Sequence, residues 1–432
     1  MKRKFLALFL CLSYPSLAFA YIDPGSSSML LSALVGIIAT VFFGMKGLYY
    51  KKKAFVLSLF GVKIEKSNHK LVFYSEGGHY WRTFKPILEA LDKKGIEAIY
   101  LTSGEDDEGL NLKSEYISAR FIGNGKRAHI YLNTLEAKVC AMTTPGLDVL
   151  QIRRSKAVQH YTYIPHSPID MGKYKLYSFD CFDSVFLSGA HQEKSIRTLE
   201  ALRVSEAKQL INAGCPYMDE LGARFESAGK KMASSKKQTR TILIAPTWGK
   251  NNLLKVFGAK PIRKLLERDY EVIIRPHPQS YQAEPELIKE IKDELCSFGK
   301  IKWDNSPDNF DSLLRSDILI SDLSGVVFDY AFIFEKPVIT IAFEYDFIGQ
   351  EAYDLPFEVW ELGILDKIGK RISADEFIYA ADVIESLLTD KHKKQELSEL
   401  RELRELREKN LYNYRLSGEV IANSLVEIMR EL

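Results

Sequence analysis

The stretch DILISDLSGVVFDY, residues 317–330, joins a short apolar run, a polar turn and the start of a helix. The apolar run 317–320 suits a buried strand, and it stops at the polar residues 321–325. Another apolar run, 337–341, follows after a helical length of chain. Short apolar runs that alternate with helices are typical of βαβ units in a parallel sheet. The stretch therefore predicts an α/β fold.

The same alternation extends on both sides of this stretch. It predicts strands at 71–74, 96–101, 139–142 and 185–187, and again at 241–245 and 271–274. Between the two series, the chain is rich in Lys, Ser, Ala and Gly, which favours a linker. We predict an N-terminal Rossmann-like domain at 70–225 on the acceptor side, a linker at 226–240, a C-terminal Rossmann-like domain at 241–375 on the donor side, and C-terminal helices at 376–432.

Composition excludes several classes of protein. Of the 432 residues, 46% are hydrophobic and 27% are charged, which is ordinary for a globular protein. The net charge of +2 argues against a nucleic-acid partner. Five scattered cysteines form no C-x-x-C pair and no set with zinc spacing, so we expect reduced thiols, no metal site and no cofactor. The motifs of P-loop ATPases and α/β-hydrolases are absent from the sequence.

The N-terminal residues indicate a membrane protein. Residues 1–20 have a basic start, an apolar middle and an Ala18-Phe19-Ala20 end, which is typical of a signal peptide. The apolar run 29–50 is long enough to cross about 30 Å of hydrocarbon. Three lysines, 51–53, follow it and favour the cytoplasmic side. We predict a signal peptide at 1–20, a single-pass anchor at 21–53 and a cytoplasmic body. The alternatives are an uncleaved first membrane helix and, for the second run, a buried core helix.

Candidate site residues follow the predicted strands, where ligands bind in open α/β sheets. Arg275 and His277 lie in the loop RPHP, whose prolines hold a phosphate-binding cation and a proton donor or acceptor at a fixed separation. The alternative is a rigid turn with a solvated arginine. Ser321, Ser324 and Gly325 suit an anion cradle at a helix start. Simple capping of that helix is the alternative.

Further candidates lie in the same stretch and in three other loops. Asp322 and Asp329 are predicted to bind a nucleotide; Asp322 suits a ribose hydroxyl or, as the alternative, the orientation of a basic partner. After the first strand of the second series, Thr247 suits a phosphate contact and Trp248 suits stacking on a base, although a core or lid role suits Trp248 equally. Gly78 and His79 form the first strand-to-helix turn, on the acceptor side. His166 lies between two prolines at a strand end and is either catalytic or a structural hydrogen-bonding group.

These motifs together resemble the CDP-glycerol glycerophosphotransferase family, which builds teichoic-acid-type polymers. The resemblance runs from about residue 71 to the end and is clearest in APTW (245–248), RPHP (275–278) and SDLSGVVFDY (321–330), in that order. The segment GCPYMD, residues 214–219, is similar to the family's Gly-x-Pro-x-x-Asp. The resemblance implies a GT-B-like fold, in which two Rossmann-type domains flank a central cleft.

The resemblance also implies a reaction. An acceptor hydroxyl attacks the β-phosphorus of a CDP-alcohol donor and displaces CMP. It makes His166 the base, and it places Arg275, His277, Ser321 and Ser324 at the donor phosphates, with His277 also catalytic. Where the family has His-Gly-Thr-Pro-Leu-Lys, this chain has HSPIDM at 166–171, with Lys173 nearby. We expect a divergent, membrane-anchored branch that modifies an envelope polymer or glycan.

Two other classes of function stay open on the sequence. A GT-B glycosyltransferase or sugar-nucleotide epimerase with a UDP- or GDP-sugar would use the same cleft. A membrane-tethered binding module or scaffold would bind nucleotide without turnover.

Overall fold

The computed structural model describes residues 35, 37, 38, 40, 41, 69–232, 239–249, 251–388 and 393–432. The chain divides into two compact units, Met1–Glu65 and Lys66–Leu432. The predicted signal peptide lies outside the described residues, and so does the predicted anchor except for five helical, exposed positions between 35 and 41. Among the described residues, none of the helices combines the length and the apolar character that a membrane crossing requires.

The second unit begins with a seven-stranded sheet in the order β3-β2-β1-β4-β5-β6-β7. Its strands are β1 His69–Ser75, β2 Ala98–Thr102, β3 Ile117–Phe121, β4 Ala137–Met142, β5 Val158–Tyr163, β6 Ser184–Leu187 and β7 Gln209–Asn212. The helices around it are α1 Trp81–Lys93, α2 Gly125–Leu132, α3 Ala190–Arg203 and α4 Pro216–Met232.

A six-stranded sheet follows, in the order β10-β9-β8-β11-β12-β13. Its strands are β8 Thr241–Ile244, β9 Glu271–Ile274, β10 Ile301–Trp303, β11 Ile318–Ser321, β12 Val338–Ile341 and β13 Lys370–Ile372. The accompanying helices are α5 Leu253–Phe257, α6 Lys260–Glu267, α7 Ser280–Ala283, α8 Pro285–Leu295, α9 Phe310–Arg315, α10 Val326–Asp329, α11 Trp360–Ile368 and α12 Ala380–Leu388. The C-terminal helices are α13 Lys393–Asn410 and α14 Ser417–Glu431.

All pairings between these strands are parallel. In β1, Leu71 and Phe73 pack in one hydrophobic cluster, whereas Val72 and Tyr74 pack in another. Each of the four side chains is at most 1% exposed, because helices cover both faces of the sheet. The predicted α/β fold with parallel sheets is therefore confirmed.

The last helix returns to the first sheet. Ile421 and Leu425 of α14 are buried in the same cluster as Phe84 of α1. The two helices approach so closely that a Cβ on Gly418 would lie 2.9 Å from the carbonyl oxygen of Pro86. Glycine is needed at this crossing because no side chain fits there.

The segment between the two sheets is partly helical. Helix α4 continues to Met232, so residues 226–232 of the predicted linker belong to a helix, and β8 begins at Thr241. Residues 233–238 lie outside the described part of the chain. The domain boundaries themselves stay a prediction.

Candidate active site

A cleft of about 300 Å³ opens beyond the carboxyl ends of strands from both sheets. Seven of the residues that the sequence predicted for the site line it together: His79, His166, Arg275, His277, Ser324, Gly325 and Asp329. The meeting of these residues follows from the topology, because the carboxyl ends of parallel strands share one edge of a sheet.

A second hollow, of about 740 Å³, lies beside α4 and α13. Its arginines are already paired: Arg404 and Arg407 with Glu335, and Arg415 with Glu226. It contains none of the residues predicted for catalysis. The smaller cleft is therefore the candidate active site.

His166 follows β5 and lies among tyrosine rings. The ring centroids of Tyr80 and Tyr174 are 4.9 Å and 6.2 Å from its own. The hydroxyl of Tyr163 donates to Tyr174 over 3.0 Å and lies 3.5 Å from His166 Nδ1. Because that phenolic proton is committed to Tyr174, the Tyr163 oxygen faces Nδ1 as an acceptor, which favours the tautomer with the imidazole proton on Nδ1. The lone pair of the neutral ring is then on Nε2.

The surroundings also keep His166 neutral. Burial, helped by the repulsion of His79, lowers its pKa to about 4. An imidazole with this pKa is unprotonated at neutral pH and is therefore ready to accept a proton.

His277 follows β9 in the RPHP loop. Its Nδ1 accepts the backbone N–H of Gln279 over 3.2 Å, so the proton of the neutral ring is on Nε2. Burial and the charge of Arg275 lower its pKa to about 4. Trp248 is 49% exposed and stacks on this ring at 6.1 Å, so the tryptophan lies at the surface beside His277 and not in the core. His277 is thus suited to donate a hydrogen bond to an anion.

Arg275 is held in place by the loop that follows β10. It donates to Asp304 Oδ2 and to the carbonyl oxygen of Ser306, both over 2.8 Å. Burial alone would raise the pKa of Asp304, but hydrogen bonds from Ser306 and Ser312 and the Arg275 charge lower it to about 2. The guanidinium therefore lines the cleft in a fixed orientation, with part of its charge offset.

The loop after β11 meets the loop that carries His166. A Cβ on Gly325 would lie 3.3 Å from Ser167 Oγ, so the absence of a side chain permits the approach. Lys173 Nζ donates to the carbonyl oxygen of Leu323 over 2.6 Å. The loop of His166 and the predicted phosphate-binding residues are thus linked by direct contacts between the two halves.

The His166 loop is also braced from behind. His191 Nε2 donates to the carbonyl oxygen of Pro168 over 2.7 Å, and its ring stacks on Trp360 at 4.0 Å. Asp170 accepts from Ser195 Oγ over 2.7 Å, and its backbone N–H donates to Glu361 over 2.9 Å. These contacts, in which the second half takes part, position His166.

Other predicted residues lie behind the cleft and do not line it. Ser321 is fully buried and donates to the carbonyl oxygen of Ala245 over 2.6 Å. The carboxylate of Asp322, also fully buried, accepts the backbone N–H groups of Thr247 at 2.7 Å and Leu253 at 3.0 Å. Gly78 packs close to Asp107, where an added Cβ would lie 3.2 Å from the backbone. These residues tie the strand-end loops to one another.

Four residues that the sequence did not single out also line the cleft: Tyr80, Thr83, Tyr217 and Asn309. Tyr217 donates to Asp329 over 3.1 Å. Tyr217 lies in the segment 214–219, which carried part of the family resemblance. In the sequence, this resemblance was the signal that could have pointed to Tyr217. Among the described residues, His, Cys, Asp and Glu form no group that could hold a metal ion.

Solved structures share the fold at low sequence identity. The wall teichoic acid polymerase TagF is 17% identical, with 92% of this chain and 98% of that chain covered and a TM-score of 0.55. A putative UDP-N-acetylglucosamine 2-epimerase from Listeria monocytogenes is 12% identical, with 85% and 98% covered and a TM-score of 0.53. These similarities support a GT-B-like fold.

None of the curated proteins matches the sequence. The model of one protein family, described as CDP-glycerol:poly(glycerophosphate) glycerophosphotransferase, matches residues 59–354, well over half of the chain. The predicted resemblance is therefore confirmed. With the fold, the cleft and the family match together, the chain belongs to the CDP-glycerol:poly(glycerophosphate) glycerophosphotransferase family of enzymes.

Proposed function

We propose that this enzyme moves a glycerol-phosphate or related polyol-phosphate group from a CDP-activated donor to a hydroxyl of an envelope polymer or glycan. One observation carries the proposal: a neutral imidazole with a free Nε2, His166, shares a cleft with the anion-binding candidates Arg275, His277 and Ser324. This is the combination that attack of a hydroxyl on a phosphorus atom requires.

The reaction is one displacement at the β-phosphorus. The acceptor oxygen forms a new P–O bond, and its proton passes to His166 Nε2. The bond between the β-phosphorus and the oxygen that bridges to CMP breaks, and CMP leaves with the electron pair. Arg275, the Nε2–H of His277 and the Ser324 hydroxyl offset the negative charge of the phosphates as it shifts toward the leaving group.

The proposed place of action is the cytoplasmic face of the membrane. The predicted anchor at 21–53 and its three terminal lysines support this, because positive residues stay on the cytoplasmic side. A membrane-linked acceptor would meet the cleft of a tethered enzyme without leaving the bilayer.

The test is turnover of the full-length protein on CDP-glycerol, CDP-ribitol, and UDP- and GDP-sugars, with envelope lipid extract as acceptor, and with the released nucleotide as readout. CMP release that is lost in His166→Ala and His277→Ala supports the proposal. His129→Ala is the matched control, because His129 lies on α2 and does not line the cleft. Release of UDP or GDP in place of CMP would overturn the proposal in favour of sugar chemistry on the same fold.

A further inference from the structure

Two hydroxyls of the cleft wall have no role in the transfer step described above. Tyr80 directly precedes α1, and Thr83 is the third residue of that helix. Residues three apart lie on one face of a helix, and both of these line the cleft. The ring centroid of Tyr80 is 4.9 Å from that of His166. The two residues therefore form the part of the wall that adjoins the proposed base.

Both hydroxyls are unpaired. Among the described residues, neither has a hydrogen-bond partner, whereas Arg275, Tyr217 and His277 of the same cleft each hold one. Thr83 is 1% exposed, and its hydroxyl reaches solvent where the residue lines the cleft. A nearly buried hydroxyl without a partner is costly unless a ligand or water completes its hydrogen bonds. The pair is suited to bind the oxygen atoms of a ligand next to His166.

The wall that the first half contributes is neutral. Among the described residues, this half brings to the cleft lining only uncharged side chains: His79, Tyr80, Thr83, His166, Ser167 and Tyr217. Burial lowers the pKa of His79, as it does that of His166, so both rings are neutral at pH 7. The permanent cation of the lining, Arg275, comes from the second half. An anionic group against the first-half wall would therefore face neutral partners.

Two cations near the start of α1 are already paired. Arg82 donates to Asp308 Oδ2 over 2.8 Å, and Lys85 donates to Glu220 Oε1 over 2.8 Å. Arg224 also donates to Asp308, over 2.6 Å. These charges are offset within the protein, and they leave little attraction for a phosphate beside the first-half wall.

The neighbouring loop is acidic. It follows β2 and packs on the loop before α1 so closely that a Cβ on Gly104 would lie 2.8 Å from the backbone nitrogen of Gly78. The next two residues, Glu105 and Asp106, are exposed carboxylates. Their charge favours an uncharged ligand over an anionic one at this side of the cleft.

We propose that Tyr80 and Thr83 bind the acceptor through oxygen atoms next to the attacking hydroxyl, and that the acceptor unit there is an uncharged, hydroxyl-rich group such as a sugar residue. The inference rests on the proposed function, whose acceptor it specifies. A chain end with a phosphate beside its hydroxyl fits this wall poorly, because the cation that would bind it, Arg275, is assigned to the donor. The two halves then divide the recognition: the first binds hydroxyls and the second binds phosphates.

The test measures CMP release from CDP-glycerol by the full-length protein with three kinds of acceptor. The first is a panel of n-octyl glycosides of glucose, galactose, mannose and N-acetylglucosamine. The second is n-octylphosphoglycerol, which has the same alkyl chain and carries its hydroxyls beside a phosphate. The third is envelope lipid extract. At least one glycoside is expected to exceed n-octylphosphoglycerol in kcat/KM by about tenfold or more, because the unpaired anion must lose its hydration.

Two variants remove the hydroxyls and keep the shapes of the side chains. Tyr80→Phe and Thr83→Val are each expected to raise the KM for the glycoside and for the extract by about three- to tenfold, the effect of one neutral hydrogen bond. The KM for CDP-glycerol and the melting temperature should stay as in the wild type. Tyr116→Phe is the matched control, because Tyr116 belongs to the same half, is exposed and does not line the cleft.

The outcomes separate the two proposals. CMP release that n-octylphosphoglycerol supports better than every glycoside overturns this inference alone, and so does an unchanged acceptor KM in both hydroxyl variants. A rise in the KM for CDP-glycerol in place of the acceptor KM also overturns it, because the hydroxyls would then bind the donor. If the extract alone supports release, the acceptor KM of the two variants decides. If CMP is released with none of the acceptors, the proposed function fails, and this inference fails with it.

Discussion

The loop after β5 and the loop after β9 each bring one histidine to the cleft, and they do so in opposite ways. Tyrosine rings surround His166, and the pKa of His166 falls because the ring is buried and His79 lies nearby. His277 lies between prolines, and its pKa falls through burial and the charge of Arg275. Both rings are neutral at pH 7, but their protons are on different nitrogens.

The two proposed roles rest on this difference. The hydrogen bonds of Tyr163 leave Nε2 of His166 with a lone pair, whereas the backbone N–H of Gln279 leaves Nε2 of His277 with a proton. One ring is therefore an acceptor toward the cleft and the other is a donor. The comparison teaches that the neighbour of one ring nitrogen sets whether the other nitrogen accepts or donates, even where the pKa values agree.

The largest expected effect comes from removing the acceptor. His166→Ala should lower kcat/KM for CMP release by about 10²–10⁴-fold, the usual contribution of a general base. Circular dichroism of the same preparation checks that the variant is folded. A loss of less than about threefold would mean that the proton leaves by another route.

The pH profile tests the state of His166 directly. Because a base must be unprotonated, and because burial lowers the pKa of His166 to about 4, kcat/KM should be level from about pH 5.5 to 8 and should fall about tenfold per unit only below about pH 4. Initial rates across buffers of constant ionic strength measure it. An acidic limb centred near the ordinary histidine value of about 6.5 would contradict the comparison.

The donor role of His277 predicts a graded result. His277→Ala should reduce kcat/KM by about 10–100-fold, because a hydrogen bond to a charged phosphate is lost. His277→Gln keeps an N–H donor and should recover part of that loss. Steady-state kinetics on the two variants measure the ratio. Equal kcat/KM values of His277→Ala and His277→Gln would show that a hydrogen-bond donor at this position does not contribute to the rate.

The smallest effect concerns the contact between the loops. In Gly325→Ala the new Cβ would lie 3.3 Å from Ser167 Oγ, so the His166 loop must move by a few tenths of an ångström. Such a shift should lower kcat several-fold with little change in melting temperature. In the matched variant Gly363→Ala, whose added Cβ meets nothing within 4 Å, activity should stay at the wild-type level.

Much of the fold followed from the sequence because buried parallel strands are short apolar runs that end at polar loops. The strands that end at Ile274 and Ser321 lie where the apolar pattern predicts them. The pattern could not tell which polar side chains of a loop turn toward the cleft. Asp322 turns inward and binds the N–H groups of Thr247 and Leu253, because buried backbone donors need partners.

Two of the four cleft residues that sequence reasoning missed, Tyr80 and Tyr217, are aromatic. Tyr80 directly precedes α1 and Tyr217 lies in the first turn of α4, and only the meeting of the two halves shows that both residues line a cleft. The linker at 226–240 was predicted from its polar composition. A polar stretch can still be helical, and α4 continues to Met232.

The order of the strands has an evolutionary consequence. Both sheets follow the same winding, in which the third, second, first and fourth strands of each lie side by side. The site residues do not repeat with it: the proposed base, His166, follows the fifth strand of the first sheet, whereas His277 and Ser324 follow the second and fourth strands of the other. Because the two sheets share a winding but carry unlike loops, substitutions in the loops of one sheet can change what that side of the cleft binds while the loops of the other stay as they are.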